Sequence, residues 1–349
     1  METKVVKVDS KMPDQAVMEE AGNILQNGGL VAFPTETVYG LGGNALDASA
    51  SERIYRAKGR PSDNPLIVHI ADMESLYRIV TGVPEAARKL AEVYWPGPLT
   101  MIFPKSDQVP AETTGGLDSV AVRMPDHPVA LQLIRKGGGY VAAPSANTSG
   151  RPSPTCAQHV VEDLLGRVEM IVDGGMVGIG LESTIVDFTE EIPVILRPGY
   201  INQEMIARVI GPVRVDKGLL IQDENVKPKA PGMKYRHYAP QAELTIVEGD
   251  SQHVIETINQ YCSTLKQEGK RVGVIGTEET IRAYEADVVK CIGTRADEES
   301  IALHLFGILR EFDNLQVDCI FSESFRTPQM GQAIMNRLLK AAGHRLIQV

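Results

Sequence analysis

The strongest constraint on the fold is a break in the hydrophobic pattern between residues 212 and 240. Short apolar runs alternate with amphipathic segments before the break, and a second, more regular alternation follows it. The break contains turn residues and little periodicity, which is typical of a connection between domains. A chain of 349 residues also exceeds the roughly 250–300 residues at which single cores stop growing. The sequence therefore predicts domains at residues 1–212 and 241–349, joined by a linker at 213–240.

The first domain contains short apolar runs in irregular succession. They predict strands at 29–34, 65–70, 99–104, 119–125, 139–144, 170–175, 183–188 and 193–199. Amphipathic segments predict helices before Gly28 and near 49–58, 84–94, 127–136, 155–165 and 202–210. Because several strands follow one another without a helix between them, the predicted fold is α+β with a twisted, mixed sheet.

The second domain alternates strictly between apolar runs and long amphipathic segments. The runs predict strands at 244–249, 271–276, 288–293 and 317–324, and the segments predict helices at 251–267, 298–314 and 328–342. This alternation is typical of a small α/β domain with a parallel sheet. The stretch "GVIGTEE" lacks the glycine spacing of a dinucleotide or P-loop site. A structural or lid role is therefore expected for this domain.

Charge restricts the kinds of partner. The chain has a formal net charge of −10, which argues against a broad nucleic-acid-binding surface and makes direct tRNA binding doubtful. Residues 217–240 nevertheless carry five basic and two acidic side chains, a net charge of +3. Any anionic ligand must therefore be held by a local cluster, and the basic linker is either a solvated spacer or part of that cluster.

Other compositional features point to an intracellular protein. The four cysteines are far apart and form no C-x-x-C pair, so buried thiols in a reducing compartment are expected rather than a metal site or disulfides. No apolar run approaches the roughly 20 residues that span a bilayer, and the first residues do not resemble a signal peptide. We therefore expect a cytoplasmic protein without a membrane anchor.

Two cations precede a predicted strand in "AKGRPSDNPLIVHI", residues 57–70. Lys58 and Arg60 flank a glycine and are followed by two prolines, which would stiffen a loop and hold both charges at one place. A solvated loop would show the same residues. As part of a site, this loop would neutralise an anion.

Polar residues recur where the predicted strands end. Three hydroxyl-rich stretches lie there, "FPTETVYGLGGNA", "APSANTSG" and "LESTIVD", and Arg123 and Arg197 end two further strands. Hydroxyls and the backbone N–H groups of the glycines in the first stretch could bind phosphate or carboxylate. Each fragment alone is more typical of a turn or a surface ion pair, and His69 alone of a core histidine.

Taken together, these groups predict an anionic substrate. Sites are commonly built at strand ends, and arginine forks match both phosphate and carboxylate groups. The sequence contains neither the nucleophile motif G-x-S-x-G nor the zinc-binding motif H-E-x-x-H. A reaction driven by positioning and charge neutralisation is therefore expected, rather than covalent catalysis.

Seven motifs, in order, resemble those of the YrdC family. They are "FPTETVYGLG", "KGRPSDNPLIVHI", "WPGPLT", "VRMPDHP", "PSANTSG", "ESTIVD" and "LRPG". The second domain and the linker motif "PGMKYRHYAP" are similar to the longer, two-domain members of the family. The resemblance implies an L-threonylcarbamoyladenylate synthase, which makes threonylcarbamoyl-AMP and pyrophosphate from L-threonine, bicarbonate or CO2, and ATP. A partner enzyme then uses that product to modify adenosine beside the anticodon of certain tRNAs.

The resemblance also implies roles for individual residues. Lys58 and Arg60 would be the catalytic cations at the phosphates. L-threonine would be held by Thr35, His69, Arg123, Ser183 and the backbone of Ala143. ATP would be held by Lys58, Arg60, Ser62, Ser119, Ser145, Ser153, Arg197 and a linker residue, His237 or its neighbour Tyr235. The linker would fold over the nucleotide as a lid. Mg²⁺ is expected with ATP, and no carboxylate stands out as its ligand.

Two alternatives stay open. One is an RNA-binding or regulatory module with the same fold, whose RNA affinity would fall steeply with salt. The other is a transferase that uses carbamoyl phosphate instead of ATP and bicarbonate. The oligomeric state, the order of substrate binding and the Mg²⁺ ligands cannot be predicted from the sequence.

Overall fold

The computed structural model describes residues 1–216, 230, 237–326 and 328–349. These residues form two compact units. The first lies within Met1–Ser149, Ser153–Gly178 and Glu182–Tyr235, and the second within Gly150–Pro152, Ile179–Leu181 and Arg236–Val349. The domain limits at 212 and 241 and the lid at 213–240 stay predictions, because residues 217–229 and 231–236 lie outside the described part.

The first unit contains one large mixed sheet. Its strands are β1 (Lys4–Lys7), β2 (Val31–Phe33), β3 (Gly40–Asn44), β4 (Ile67–His69), β5 (Leu99–Pro104), β6 (Ser119–Arg123), β7 (Val141–Ala142), β8 (Met170–Asp173), β9 (Thr184–Asp187), β10 (Val194–Arg197) and β11 (Arg214–Val215). The spatial order is β1-β8-β2-β3-β7-β4-β6-β5-β9-β10-β11. The consecutive pairs β5–β6 and β9–β10 are antiparallel, whereas β4–β6 and β5–β9 are parallel. The predicted mixed sheet is thereby confirmed.

Seven helices of the first unit lie within the described residues. They are α1 (Gln15–Gln26), α2 (Ala48–Lys58), α3 (Met73–Ile79), α4 (Glu85–Tyr94), α5 (Pro128–Lys136), α6 (Ala157–Leu164) and α7 (Gln203–Ile210). The side chains of Asp14, Asp47 and Asp72 cap α1, α2 and α3 by accepting backbone N–H bonds. The short α3 was not predicted from the sequence.

Helices α1 and α5 cover one face of the sheet. Met18, Leu25 and Leu133 are fully buried in a cluster with residues of β2, β7 and β8. The two helices approach closely at Gly22, where an added Cβ would lie 2.5 Å from the Cβ of Lys136. The core that supports the site is therefore a tightly packed helix pair on short, apolar strands.

The glycine-rich stretch after β2 differs from its prediction. Gly40, Gly42 and Gly43 lie in the buried strand β3, which pairs antiparallel with β2. Their backbone groups belong to the sheet, so the predicted loop of exposed N–H groups is wrong. The glycines allow close packing, because a Cβ on Gly42 would lie 2.8 Å from Val141 Cγ1 and 2.9 Å from the ring of Phe33.

The second unit contains a parallel five-stranded sheet in the order β14-β13-β15-β12-β16. Its elements are β12 (Glu243–Glu248), α8 (Ser251–Gln267), β13 (Val272–Gly276), β14 (Val288–Cys291), α9 (Glu298–Leu315), β15 (Cys319–Glu323), α10 (Gly331–Ala341) and β16 (Leu346–Gln348). The prediction of a small α/β domain is confirmed. No helix in the described part of the chain combines the length and apolar character needed to cross a membrane.

Candidate active site

Five neighbouring strands bring polar residues to one edge of the large sheet. The order β4-β6-β5-β9-β10 and the pair directions place the ends of β4, β6 and β10 beside the starts of β5 and β9. His69, Arg123, Thr100, Ser183 and Arg197 stand at or directly before these positions. Residues that are far apart in sequence thus meet because the strands are short and their order is not sequential.

Arg123 is the centre of one group at this edge. Its side chain is almost fully buried, and it pairs in register with His69 of β4 and Thr100 of β5. The guanidinium donates through Nε to the Gly97 carbonyl oxygen (3.3 Å) and through Nη1 to Thr37 Oγ1 (2.9 Å). Its Nη2 lies 2.7 Å from Oε1 of Glu36. A rigidly held arginine fork is suited to a carboxylate.

The turn after β2 supplies two of these contacts. Thr35 is buried, and its Oγ1 donates to the Val38 carbonyl oxygen (2.7 Å) and accepts from the backbone N–H of Thr37 (3.1 Å). The Thr35 and Thr37 hydroxyl oxygens are 2.8 Å apart. The Thr35 hydroxyl therefore fixes the turn that presents Glu36 and Thr37 to the arginine.

His69 stays neutral beside the arginine. Its Nδ1 lies 3.1 Å from the Ile67 carbonyl oxygen, and the Phe33 ring packs against the imidazole edge to face with centroids 6.4 Å apart. Burial, and next the positive charge of Arg123, lower the pKa of His69 to about 3. At neutral pH the imidazole thus adds hydrogen-bonding groups to the site without adding charge.

Arg197 and Ser183 form a second group. The buried Arg197 side chain donates through Nε to the Ser183 carbonyl oxygen (3.0 Å) and through Nη2 to its Oγ (3.1 Å). The Ser183 hydroxyl lies 2.7 Å from Thr100 Oγ1. Because Thr100 stands opposite Arg123 in the register of β5 and β6, the two arginine groups are neighbours at this sheet edge. The sequence did not single out Thr100, since a threonine in an apolar strand has no local mark of function.

Lys58 lies in a different position from the one predicted. It is the last residue of α2, is 3% exposed, and its Nζ donates to the backbone carbonyl oxygens of Ser145 and Asn147. The helix ends there because Gly59 takes a left-handed conformation with φ of 61°. The expectation of an open loop is wrong for Lys58: the ammonium holds the 145–147 turn from inside.

A second cation, Arg60, forms hydrogen bonds within the segment 59–66. Arg60 is half-buried and donates to the carbonyl oxygens of Asn64 (3.2 Å) and Pro65 (3.1 Å). Ser62 is exposed in the same segment. Lys58 and Arg60 therefore do not lie at strand ends, whereas Arg123 and Arg197 do, as predicted.

The remaining predicted residues fall into three positions. Ser145 and Ala143 lie beside Lys58 and β4: Ser145 Oγ donates to Asn147 Oδ1 (2.5 Å), and the Ala143 N–H donates to the Ile67 carbonyl oxygen (2.9 Å). Ser153 is fully buried, and its Oγ donates to Oε1 of Glu182 (2.5 Å), next to Ser183. Ser119 begins β6 and so lies at the opposite end of that strand from Arg123.

The linker residues are only partly described. Tyr235 lies outside the described residues. His237 is described, and its ring centroid lies 5.6 Å from that of Tyr238, which stacks on Phe306. The prediction that this segment covers a nucleotide stays a prediction.

Comparison with known proteins identifies the family. Residues 23–199 match the family model of the Sua5, YciO and YrdC proteins, described as "Telomere recombination", and residues 201–343 match the C-terminal domain model of threonylcarbamoyl-AMP synthase. The chain is 54% identical to the Bacillus subtilis threonylcarbamoyl-AMP synthase over 94% of both proteins, and 50% identical to that of Pyrococcus abyssi over 99% of this chain and 100% of its relative. The chain belongs to the threonylcarbamoyl-AMP synthase family.

A solved structure agrees with this assignment over the whole length. The crystal structure of Pyrococcus abyssi Sua5 complexed with L-threonine superimposes with a TM-score of 0.93, at 48% sequence identity, and covers 100% of both chains. Members of the threonylcarbamoyl-AMP synthase family are enzymes that transfer a nucleotidyl group. The resemblance drawn from the seven motifs, and the two-part architecture of the longer members, are thereby confirmed.

Proposed function

We propose that this chain joins L-threonine, bicarbonate or CO2, and ATP into threonylcarbamoyl-AMP, releasing pyrophosphate. The observation that supports this most directly is the convergence of Arg123, Ser183 and Arg197 at one sheet edge, in a member of the threonylcarbamoyl-AMP synthase family. One arginine serves the substrate carboxylate and the other the phosphates. A relative with 48% identity has been crystallised with L-threonine.

The chemistry needs charge neutralisation more than a nucleophilic side chain. The neutral amine of threonine adds to CO2, forming an N–C bond and releasing a proton. A carbamate oxygen then attacks the α-phosphorus of ATP as pyrophosphate leaves. Both reactants are anions, so positive charge from Lys58, Arg60 and Arg197 lowers the barrier by stabilising the transition state more than the separated reactants.

Substrate positioning follows from the same contacts. Arg123 would hold the threonine carboxylate, with Thr35, His69, Ser183 and the Ala143 backbone around the rest of the amino acid. Ser62, Ser119, Ser145 and Ser153 would contact ATP, together with Tyr235 or His237. Among the described residues, no group of three or more His, Cys, Asp and Glu side chains could hold a metal ion. Mg²⁺ would be held mainly by the phosphate oxygens of ATP, which it commonly binds together with few protein ligands.

Pyrophosphate release tests the proposal. The full-length protein is incubated with all three substrates and then with L-threonine, bicarbonate or ATP omitted in turn. We expect release only with the complete set, and equal release without threonine would contradict the proposal. Carbamoyl phosphate in place of ATP and bicarbonate tests the transferase alternative.

Two further properties belong to the same proposal. The product is a mixed anhydride that water would hydrolyse, so we infer that it passes to a partner enzyme that modifies tRNA. Adding such an enzyme with tRNA should accelerate product consumption over hydrolysis alone. The cytoplasmic location stays a prediction.

A further inference from the structure

The contacts of Arg123 leave a defined part of its guanidinium for a ligand. Its three nitrogen atoms each meet an acceptor: Gly97, Thr37 and Glu36. Each terminal nitrogen of an arginine carries two N–H groups. Among the described residues, Nη1 donates one of its two to Thr37, and Nη2 meets Glu36 in an ion pair that lacks the geometry of a hydrogen bond. The guanidinium therefore keeps N–H groups on both terminal nitrogens, with which a ligand carboxylate can form charge-assisted hydrogen bonds.

Glu36 is placed so that it can fix this geometry. Its side chain is 13% exposed, and both carboxylate oxygens are buried. Within the described part of the chain neither oxygen accepts a hydrogen bond of good geometry, and the carboxylate forms an ion pair with Arg123. A buried carboxylate is stable only when it is paired. Its position is therefore explained by the arginine.

One turn carries both side chains that contact the terminal nitrogens of Arg123. Glu36 and Thr37 are adjacent, and the Thr35 hydroxyl fixes the turn through the backbone of Thr37 and Val38. Their contacts reach different nitrogen atoms, Nη2 and Nη1. With the Nε bond to the Gly97 carbonyl oxygen, these contacts hold the planar group at three nitrogen atoms, and Glu36 is the one that holds Nη2.

We propose that Glu36 is a positioning residue, which orients the Arg123 guanidinium to receive the carboxylate of the amino-acid substrate. This inference rests on the proposed function, in which Arg123 binds L-threonine. Glu36 acts through the arginine and does not itself contact the reacting atoms. A competing role is that Glu36 occupies the ligand's place on Arg123, in which case removing its charge would tighten threonine binding.

Two substitutions in the full-length protein distinguish the position of the Glu36 oxygen atoms from the negative charge that they carry. Glu36→Gln keeps the side-chain length and an acceptor oxygen but removes the charge, whereas Glu36→Asp keeps the charge and withdraws the oxygens by one methylene. Positioning predicts that Glu36→Asp raises the KM for L-threonine at least 10-fold with kcat and the KM for ATP within threefold. Positioning also predicts that Glu36→Gln changes the KM for L-threonine, the KM for ATP and kcat by less than threefold each. Glu169→Asp is the matched control, because Glu169 pairs with Arg53 outside the site.

The outcomes are decisive in both directions. If Glu36→Gln changes the KM for L-threonine 10-fold or more while Glu36→Asp does not, the charge of Glu36 is what matters and the inference is wrong. The inference is also wrong if neither variant changes this KM. If both variants raise the KM, each is repeated in an Arg123→Lys background, where a positioning effect should disappear and a general structural effect should persist. The proposed function and the positioning role of Glu36 are distinguished by calorimetry, in which L-threonine is titrated into the unchanged protein. If the unchanged protein does not bind L-threonine, the proposed function is contradicted and not the role of Glu36.

Discussion

Both units of the molecule bury cations, and they do so in different ways. In the first unit, Lys58, Arg123 and Arg197 meet groups from several distant turns and strand ends. In the second unit, the fully buried Arg310 donates through both Nε (3.1 Å) and Nη2 (2.6 Å) to the Pro152 carbonyl oxygen. Arg337 lies within α10 and has the Ala333 carbonyl oxygen, one helical turn earlier, 3.5 Å from its Nη1.

The contacts of a buried cation, rather than its burial, distinguish a functional site from a structural contact. Burial is equal in the two units, so burial alone does not indicate function. In the first unit Arg123 contacts a hydroxyl group and a carboxylate, and Arg197 contacts the Ser183 hydroxyl, so both arginines lie among side chains that also suit a polar ligand. Lys58 donates to backbone carbonyl oxygens and differs from the two arginines in this respect. In the second unit Arg310 and Arg337 donate to backbone carbonyl oxygens. The comparison predicts that substitutions in the first unit change turnover and those in the second change stability.

Lys58→Met should have the largest effect. We expect turnover to fall at least 100-fold, about 2.7 kcal/mol or more, because positive charge beside the 145–147 turn is lost. Unlike a cation on an open loop, Lys58 also supports the fold, since the carbonyl oxygens of Ser145 and Asn147 lose a donor. Pyrophosphate release is measured at a temperature at which circular dichroism shows the variant folded.

The exposed Arg56 in the last turn of α2 is the control for Lys58. Arg56→Met removes the same charge from the same helix and should leave turnover unchanged. If folded Lys58→Met keeps unaltered turnover, Lys58 belongs with the structural cations of the second unit and the comparison fails.

Arg123→Lys should have the next largest effect. Lysine carries a point charge and cannot bind Gly97, Thr37, Glu36 and a substrate carboxylate at once. We expect the KM for L-threonine to rise about 30-fold, near 2 kcal/mol, and the KM for ATP to change much less. Arg53→Lys, at a forked arginine outside the site, is the control. An equal rise in the KM for ATP would show that carboxylate and phosphate are not divided between the two arginines as proposed.

The elements of the fold were well predicted where local pattern decides them. Strand 99–104 and helix 251–267 have the predicted limits, because an apolar run or an amphipathic period is long enough there to specify its own structure. Strand β3 was missed because glycine has low strand propensity. Its glycines are required by Val141 and Phe33, which are distant in sequence or belong to the neighbouring strand.

The sequence predicted which residue types form the candidate site, but not which of these residues contact one another. Arginines at strand ends and hydroxyls in turns are visible in the sequence. The structure places Thr100 opposite Arg123 in the sheet and its hydroxyl beside that of Ser183, which accepts from Arg197. That connection depends on the register of non-consecutive strands, which no local signal specifies. The burial of Lys58 likewise depends on the 145–147 turn, nearly ninety residues away.

Arg310→Met tests the second unit. The Pro152 carbonyl oxygen would lose its donors, and an unsatisfied buried carbonyl costs about 1–3 kcal/mol. We therefore expect the free energy of unfolding in urea to fall by about this amount, with kcat and both KM values within threefold. Pro152 precedes Ser153, a proposed ATP contact. A 10-fold rise in the KM for ATP without loss of stability would break the comparison, because a cation of the second unit would then support the site.

The effect of His69 appears in the pH dependence of stability. A histidine in the unfolded chain has a pKa near 6.5, whereas burial, followed by the charge of Arg123, lowers the pKa of His69 to about 3 in the folded protein. Between these values the unfolded chain binds a proton that the folded chain does not, so stability decreases as the pH falls, by up to about 1.4 kcal/mol per pH unit.

The stability difference between pH 7 and pH 5 should therefore be about 2 kcal/mol larger in the unchanged protein than in His69→Gln. Urea unfolding at both pH values measures it, and His253→Gln, at an exposed histidine of the second unit, controls for the loss of an imidazole. Equal pH dependence in the unchanged protein and His69→Gln would mean that the imidazole accepts a proton in the folded state. Two positive charges would then lie side by side at the sheet edge, in register on β4 and β6, and Arg123 would no longer be the centre of the carboxylate site.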